Sequence, residues 1–105
     1  MRKEAFLFEK VNRHNNEGKT IIELSISVGT AEWEEEYEEM EHPFERREYV
    51  EERFFNEDGS EIINEEFHNN FANEFEEADW ECEYILNSLE EAKAEIKLSV
   101  DKLNE

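Results

Sequence analysis

The residues of this chain that could do chemistry are overwhelmingly carboxylates. Between Ala31 and His42 the stretch AEWEEEYEEMEH holds seven glutamates and no lysine or arginine. Paired carboxylates can act as general acid and base. With 28 glutamates in the chain, however, a pair is available almost anywhere, and proximity in sequence does not supply the geometry. Cys82 is the single cysteine, and its neighbours Glu81 and Glu83 disfavour a thiolate. It reads as a structural thiol, not a nucleophile. Glu39–His42 and Glu65–His68 share the spacing Glu-x-x-His, which di-iron carboxylate bundles present on paired helices. Such bundles need two more glutamates from two more helices. Pro43 places His42 at a helix end, and strands fill the first 28 residues, so too few helices remain. No G-x-S-x-G, glycine-rich phosphate loop, H-E-x-x-H or D-x-D-x-D-G motif occurs, and NEDGSE could hold a divalent ion only weakly. The expectation is a protein that is not an enzyme and has no metal and no cofactor.

The charge is concentrated. The formal net charge is -20, from 31 acidic and 11 basic residues. Residues 31–91 hold 24 of the acids and three of the bases, while the segments on either side are nearly neutral. A generally solubilising surface would be acidic throughout. A direct nucleic-acid role is disfavoured, because phosphate affinity comes from Lys and Arg. Acidic headgroups would repel this surface, and no apolar run approaches membrane-spanning length, so no membrane role is expected. MRKEAFLFEK is basic, but its apolar run is too short for a signal peptide. The lone cysteine suits a reducing compartment, hence a cytoplasmic setting. Disorder is rejected: Leu, Ile, Val and Phe number 25 of 105 residues, above the roughly 20% below which charged chains stay unfolded.

These carboxylates need elements to position them. EAFLFEKVN (4–12) reads as a strand. KTIIELSISV (19–28) reads more clearly as one, because Ile22, Leu24, Ile26 and Val28 alternate with Glu23, Ser25 and Ser27, the period of a half-buried strand. RHNNEG makes the two a hairpin. In 31–42, Trp33, Tyr37 and Met40 fall at i, i+4 and i+7. This predicts a helix capped by Thr30 and bounded by Pro43; a strand with Trp33 and Tyr37 on one face is the alternative. RREYVEERFF (46–55) and NEDGSEII form a second hairpin around Asp58-Gly59. Ile63, Phe67, Phe71, Phe75 and Ala78 predict a helix with an aromatic core stripe. In DWECEYIL (79–86), Trp80, Cys82, Tyr84 and Leu86 alternate as in a strand, though a helical continuation stays open. Ser88 and Glu91 form a capping-box pattern ahead of the stripe Leu89, Ala92, Ile96, Val100 and Leu103. The sum is one small α+β domain over 1–105. Its antiparallel sheet of two hairpins packs against two or three helices, including a C-terminal amphipathic one, with the helices on one face.

As a helix, 31–42 would carry about one charge per 2.4 Å of axis. Duplex DNA carries about one per 3.4 Å on each strand. Neighbouring glutamates would repel, at a cost of a few tenths of a kcal/mol per pair, and a cationic partner would remove that cost. The expected function is therefore that of an acidic inhibitor that mimics nucleic acid and blocks the basic groove of a DNA- or RNA-binding protein or nuclease. The expected contact residues are Glu32, Glu34, Glu35, Glu36, Tyr37, Glu38, Glu39 and Glu41. To these are added Glu48, Glu51, Glu52, Glu57 and Asp58 on the second hairpin, and Glu76 and Glu77 beyond it. In composition and size the chain is similar to phage-encoded inhibitors of restriction, CRISPR or DNA-repair enzymes. An immunity protein or antitoxin against a basic nuclease toxin, or a non-inhibitory acidic adaptor, are the alternatives. A monomer or homodimer is expected.

Overall fold

Two long strands form the centre of the protein. The computed structural model describes residues 2–34, 39–40 and 44–105. Strand β1 (Arg2–His14) and strand β2 (Thr20–Glu34) pair antiparallel along their whole length, from Arg2↔Glu32 to His14↔Thr20. The Asn15 side chain closes the turn, its Oδ1 accepting from the backbone N–H groups of Glu17 (3.0 Å) and Lys19 (2.8 Å). Strand β3 (Glu39–Met40) pairs with the end of β2, and β4 (Glu45–Asn56) lies along the rest of it. After β5 (Glu61–Ile62) come helix α1 (Glu65–Glu74), strand β6 (Glu77–Leu86) and helix α2 (Leu89–Leu103). The sheet order is β5-β4-β2-β1-β6, antiparallel throughout, with β3 beside β2. Among the described residues, no helix is long and apolar enough to cross a membrane.

Residues 31–34 are strand, not the first turn of a helix, and Thr30 is a paired mid-strand residue, not a cap. The reason is tertiary. Ala31 and Trp33 continue the alternation of β2 and are buried with Ala5, packed by Phe44 and Ile85. Pairing with β1 thus outweighs the helical spacing of the aromatics. Residues 35–38 and 41–43, with Tyr37 and Pro43, lie outside the described residues.

The helices lie on opposite faces of the sheet, not on one. Successive strand residues point to opposite sides, so the doublets Ile21-Ile22 and Phe54-Phe55 each serve two layers. Ile22 and Phe55 join Phe8, Leu24 and Ile26 under Ala92 and Ile96 of α2. Ile21 and Phe54 pack with Phe75, Phe67 and Phe71 at α1. Phe8, Phe54 and Phe55 are essentially inaccessible to solvent, each worth roughly 1.5–3 kcal/mol of burial. The α1 stripe is shorter than its spacing suggests. Asn64 caps the helix, Phe75 ends it and Ala78 belongs to β6, while Ile63 is 82% exposed. The α2 stripe is as expected, with Ser88 Oγ accepting from the Glu91 N–H at 3.2 Å. The reciprocal bond from Glu91 goes to the N–H of Asn87, one residue before the cap.

Glycine is required at the β4–β5 turn. Gly59 has φ 91, and a Cβ there would lie 2.4 Å from the Leu103 carbonyl oxygen, because the end of α2 abuts the turn.

Candidate interaction surface

All five arginines are engaged by the protein's own carboxylates. Arg2 pairs with Glu45 and, at 3.9 Å, with Glu32; Arg13 with Glu23 at 3.0 Å; Arg46 with Glu9; Arg47 with Glu4 at 2.7 Å; Arg53 with Glu61 at 2.6 Å. Lys10 pairs with Glu81 at 2.8 Å. The exposed pairs among them, such as Arg47 with Glu4, add about 0–1 kcal/mol each, whereas Glu9 and Glu23 are buried. The greater effect of these pairs is on the charge map. They consume the basic residues of the acidic middle and leave Glu48, Glu51, Glu52, Glu57, Glu76 and Glu77 without a salt bridge among the described residues.

These carboxylates do not form one continuous surface. Glu48 and Glu51 lie opposite Val28 and Ile26, on the face that carries α2, whereas Glu52 lies opposite Ser25 on the other face. Glu57 and Asp58 sit in the β4–β5 turn, where Asp58 accepts from the N–H (2.9 Å) and hydroxyl (2.6 Å) of Ser60. Those bonds hold its carboxyl below the ordinary value. Glu76 lies between α1 and β6, and Glu77 is the first residue of β6, opposite His14. Glu34 and Glu39 occupy paired register positions of β2 and β3. Glu35, Glu36, Tyr37, Glu38 and Glu41 lie outside the described residues, and the helical charge spacing does not apply to the strand positions.

A second group of residues, not foreseen from sequence, lies on the face opposite α2. There the polar side of β2 is not solvated: Glu23, Ser25 and Ser27 are buried, Glu23 to 2% exposure. The register places three rungs across β6, β1, β2 and β4. They are Trp80–Val11–Glu23–Phe54, Glu83–Glu9–Ser25–Glu52 and Ile85–Leu7–Ser27–Tyr49. Arg46 on β4 reaches across β2 to Glu9 on β1, while the space that a side chain at Gly29 would need is filled by the Phe44 ring and the Glu45 backbone. Arg46 also donates to the Tyr49 hydroxyl at 2.8 Å and lies over its ring, 4.6 Å from the centroid. Trp80 Nε1 donates to the other oxygen of Glu9 at 2.8 Å. Arg13 donates to Glu23 and sits between the rings of Trp80 (5.8 Å) and Phe71 (5.9 Å). Burial pushes the Glu23 carboxyl up, and Arg13 only partly offsets this. Burial also raises the Tyr49 hydroxyl; Arg46 opposes the rise, and Glu23, Glu52 and Glu9 add to it. Trp80 and Tyr49 nonetheless keep 57% and 43% of their surface exposed.

A β-bulge places Trp80 on this face. The register shifts between Lys10 and Val11, leaving Glu81 as the extra residue of β6. Glu81 turns to Asn12 (2.9 Å) and Lys10, and these bonds hold its carboxyl low. Cys82, Tyr84 and Leu86 therefore face α2, whereas Trp80 faces the opposite way. The regular alternation expected for 79–86 breaks at this point. Nothing in the composition of DWECEYIL marks the bulge. The available signal was Arg46-Arg47, the one basic doublet in the acidic middle.

Among the described residues, the cysteine and the histidines are otherwise engaged. Cys82 is half-buried, and burial raises its thiol above the ordinary range. His68 Nε2 donates to the Ile62 carbonyl at 2.7 Å and its ring packs on Phe54. His14 bridges Thr20 Oγ1 and Asp79, each at 2.9 Å. This resembles a hydroxyl–imidazole–carboxylate relay, but the Asp79 side chain is 80% exposed and solvated, unlike the buried carboxylate that orients a catalytic histidine. Comparison of the chain with family models, with curated proteins and with solved structures finds no match.

Proposed function

We propose that this protein is an acidic inhibitor that occupies the basic nucleic-acid-binding groove of another protein, its carboxylates standing in for phosphates. The observation that carries this reading is the charge map. Residues 31–91 bear 24 acids and three bases, and those three bases, Arg46, Arg47 and Arg53, are held in internal ion pairs. The remaining carboxylates form a negative field on both faces and at one end. Such a field speeds encounter with a cationic groove and is relieved by it. A second reading, a neutraliser of one basic toxin through a few dominant contacts, is favoured by the exposed Trp80 and Tyr49. Trp, Tyr and Arg are the residue types that dominate such interfaces.

The test is affinity capture from a lysate on the immobilised protein, with elution by a salt step. Competition between the captured protein's nucleic acid and this protein follows. A groove-blocking mimic retains a nuclease or nucleic-acid-binding protein, releases it as salt screens the contacts, and displaces its nucleic acid. Retention independent of salt, or a captured protein that still binds its nucleic acid, would overturn the mimic reading.

A further inference from the structure

We infer that the strip of sheet between α1 and the Ala5–Trp33 cluster, on the face opposite α2, is a docking face for an arginine-bearing segment of a basic partner protein, with Trp80 and Tyr49 as its anchors. The inference rests on the proposed reading of the protein as a binder of basic partners and names the surface and side chain recognised.

Four features converge there. First, the bulge at Glu81 turns Trp80 away from the α2 side, where regular alternation would have placed it beside Cys82 and Tyr84. Bulges recur where a side chain has to be re-aimed. Second, the two exposed rings are fixed. Trp80 is hydrogen-bonded to Glu9, Glu9 is paired with Arg46, and Arg46 is bonded to and stacked on Tyr49. Glu9 is nearly buried, so the chain of contacts is anchored from beneath. Rings held in place before contact lose little freedom on binding. Third, the rung Glu83–Glu9–Ser25–Glu52 sets three carboxylates across the sheet, Glu83 and Glu9 directly opposite each other. Like charges in that relation are unfavourable. Among the described residues, Glu9 is the one carboxylate that Arg46 pairs with, and Glu83 and Glu52 enter no salt bridge. Fourth, Ser27 points to this face opposite Tyr49, is wholly buried, and its hydroxyl has no hydrogen-bond partner among the described residues.

The face also indicates which cation it takes. Its own arginines show the mode of contact: a guanidinium that meets a carboxylate while lying near an aromatic ring, Arg46 with Glu9 and Tyr49, Arg13 with Glu23 and Trp80. A partner's arginine can repeat that contact between Trp80 and Glu83, or between Tyr49 and Glu52. A planar guanidinium both stacks and pairs, which an ammonium does less well. A second copy of this chain is a poor occupant, because it brings a charge of -20 to the same face.

The test uses the ¹⁵N-labelled 105-residue chain titrated with a nona-arginine peptide at low ionic strength. The Trp80 indole N–H and the backbone amides of β4 and β6 report the location. The expected shifts concentrate on residues 49–52 and 80–83, and Trp80→Ala weakens the peptide about tenfold, the size of a single anchor. A second comparison does not depend on that variant folding. Glu52→Gln/Glu83→Gln and Glu57→Gln/Glu74→Gln remove equal charge from exposed or half-exposed positions, the first pair on this face and the second away from it. The first pair should weaken binding several-fold more than the second. Equal losses with shifts scattered over α1 and the β4–β5 turn overturn the docking face and leave the basic-partner reading standing. A peptide that does not bind at all overturns both.

Discussion

The hydrogen bond from Trp80 to Glu9 can be weighed by a double-mutant cycle of Glu9→Gln and Trp80→Phe. The Glu9 side chain is 10% exposed and accepts from both Arg46 and Trp80. Bonds to a charged acceptor are worth about 1.5–3 kcal/mol each. Two effects reduce that figure here. Arg46 and Trp80 are accessible enough for water to take over their donors when the carboxylate goes. Glu9→Gln also removes the like-charge contact with Glu83, which returns a few tenths of a kcal/mol. The net expectation for Glu9→Gln is a loss of about 1–2 kcal/mol, a Tm lower by roughly 5–10 °C for a domain of this size. Trp80→Phe keeps a smaller aromatic ring beside Arg13 and deletes the N–H, at about 1 kcal/mol. Because the two residues share one bond, the double variant should lose about 1 kcal/mol less than the sum. Urea denaturation of the four proteins measures this, and acrylamide quenching follows the ring itself, since Trp33 is buried. Losses that add to within about 0.3 kcal/mol would show that the two side chains are not coupled, and the pre-organised anchor would fail.

Three further outcomes follow from the geometry. Gly59→Ala should cost about 2 kcal/mol or more, because φ is positive there and the new Cβ meets the Leu103 carbonyl; a loss below about 0.5 kcal/mol in urea denaturation would mean that α2 does not abut the turn. Burial raises the pKa of Glu23 above its ordinary 4.5, so its favourable contribution is complete below that value and is lost as pH rises through the elevated pKa. Glu23→Gln stays neutral, so its stability relative to the parent should climb with pH above about 4.5, whereas a constant difference would show that the folded protein does not shift Glu23. Cys82, half-buried with a raised pKa, should react slowly with a thiol reagent at neutral pH and faster as pH rises or urea is added; rapid labelling of the native protein would contradict that placement.

Much of the fold was legible where local pattern and tertiary environment agree. The alternation Ile22, Leu24, Ile26, Val28 and the stripe from Leu89 to Leu103 bury or half-bury the residues that their spacing marks, and the Asp58-Gly59 turn joins β4 to β5. Where two periods fit the same residues, only pairing decides. Trp33, Tyr37 and Met40 match a helix, but Trp33 lies on the β2 extension because β1 is long enough to offer Ala5 and Lys3 beside it, with Lys3 over its ring at 4.8 Å. The two-sided covering of the sheet was present in the doublets Ile21-Ile22 and Phe54-Phe55, yet a doublet alone does not say which layer takes which residue. The candidate face was the least legible part. Glu9, Glu23, Arg13, Arg46 and Trp80 come from four strands and are joined by register and one bulge, neither of which any local spacing encodes.

The central face poses an energetic question that bears on function. At one end it is closed by Ile21, Phe54 and Phe75, at the other by Ala5, Ala31 and Trp33, so the chain covers this side of the sheet with apolar residues at both ends. Between them it places two buried or nearly buried glutamates, two arginines and two serines. Replacing a buried ion pair with packed apolar residues is often neutral or stabilising. Stability alone therefore gives no reason for Glu9 and Glu23 where Val or Ile would complete one continuous layer. Solubility gives none either, since these groups hardly meet solvent and the rest of the surface is already strongly charged. Recognition does supply a reason. A rung of carboxylates with a fixed Trp and Tyr beside it costs the free protein stability that a cationic partner would restore. The mimic and anchor readings then differ in how binding energy is distributed: evenly over many exposed glutamates, or concentrated on this strip. Equal-charge substitutions on and off the strip separate the two.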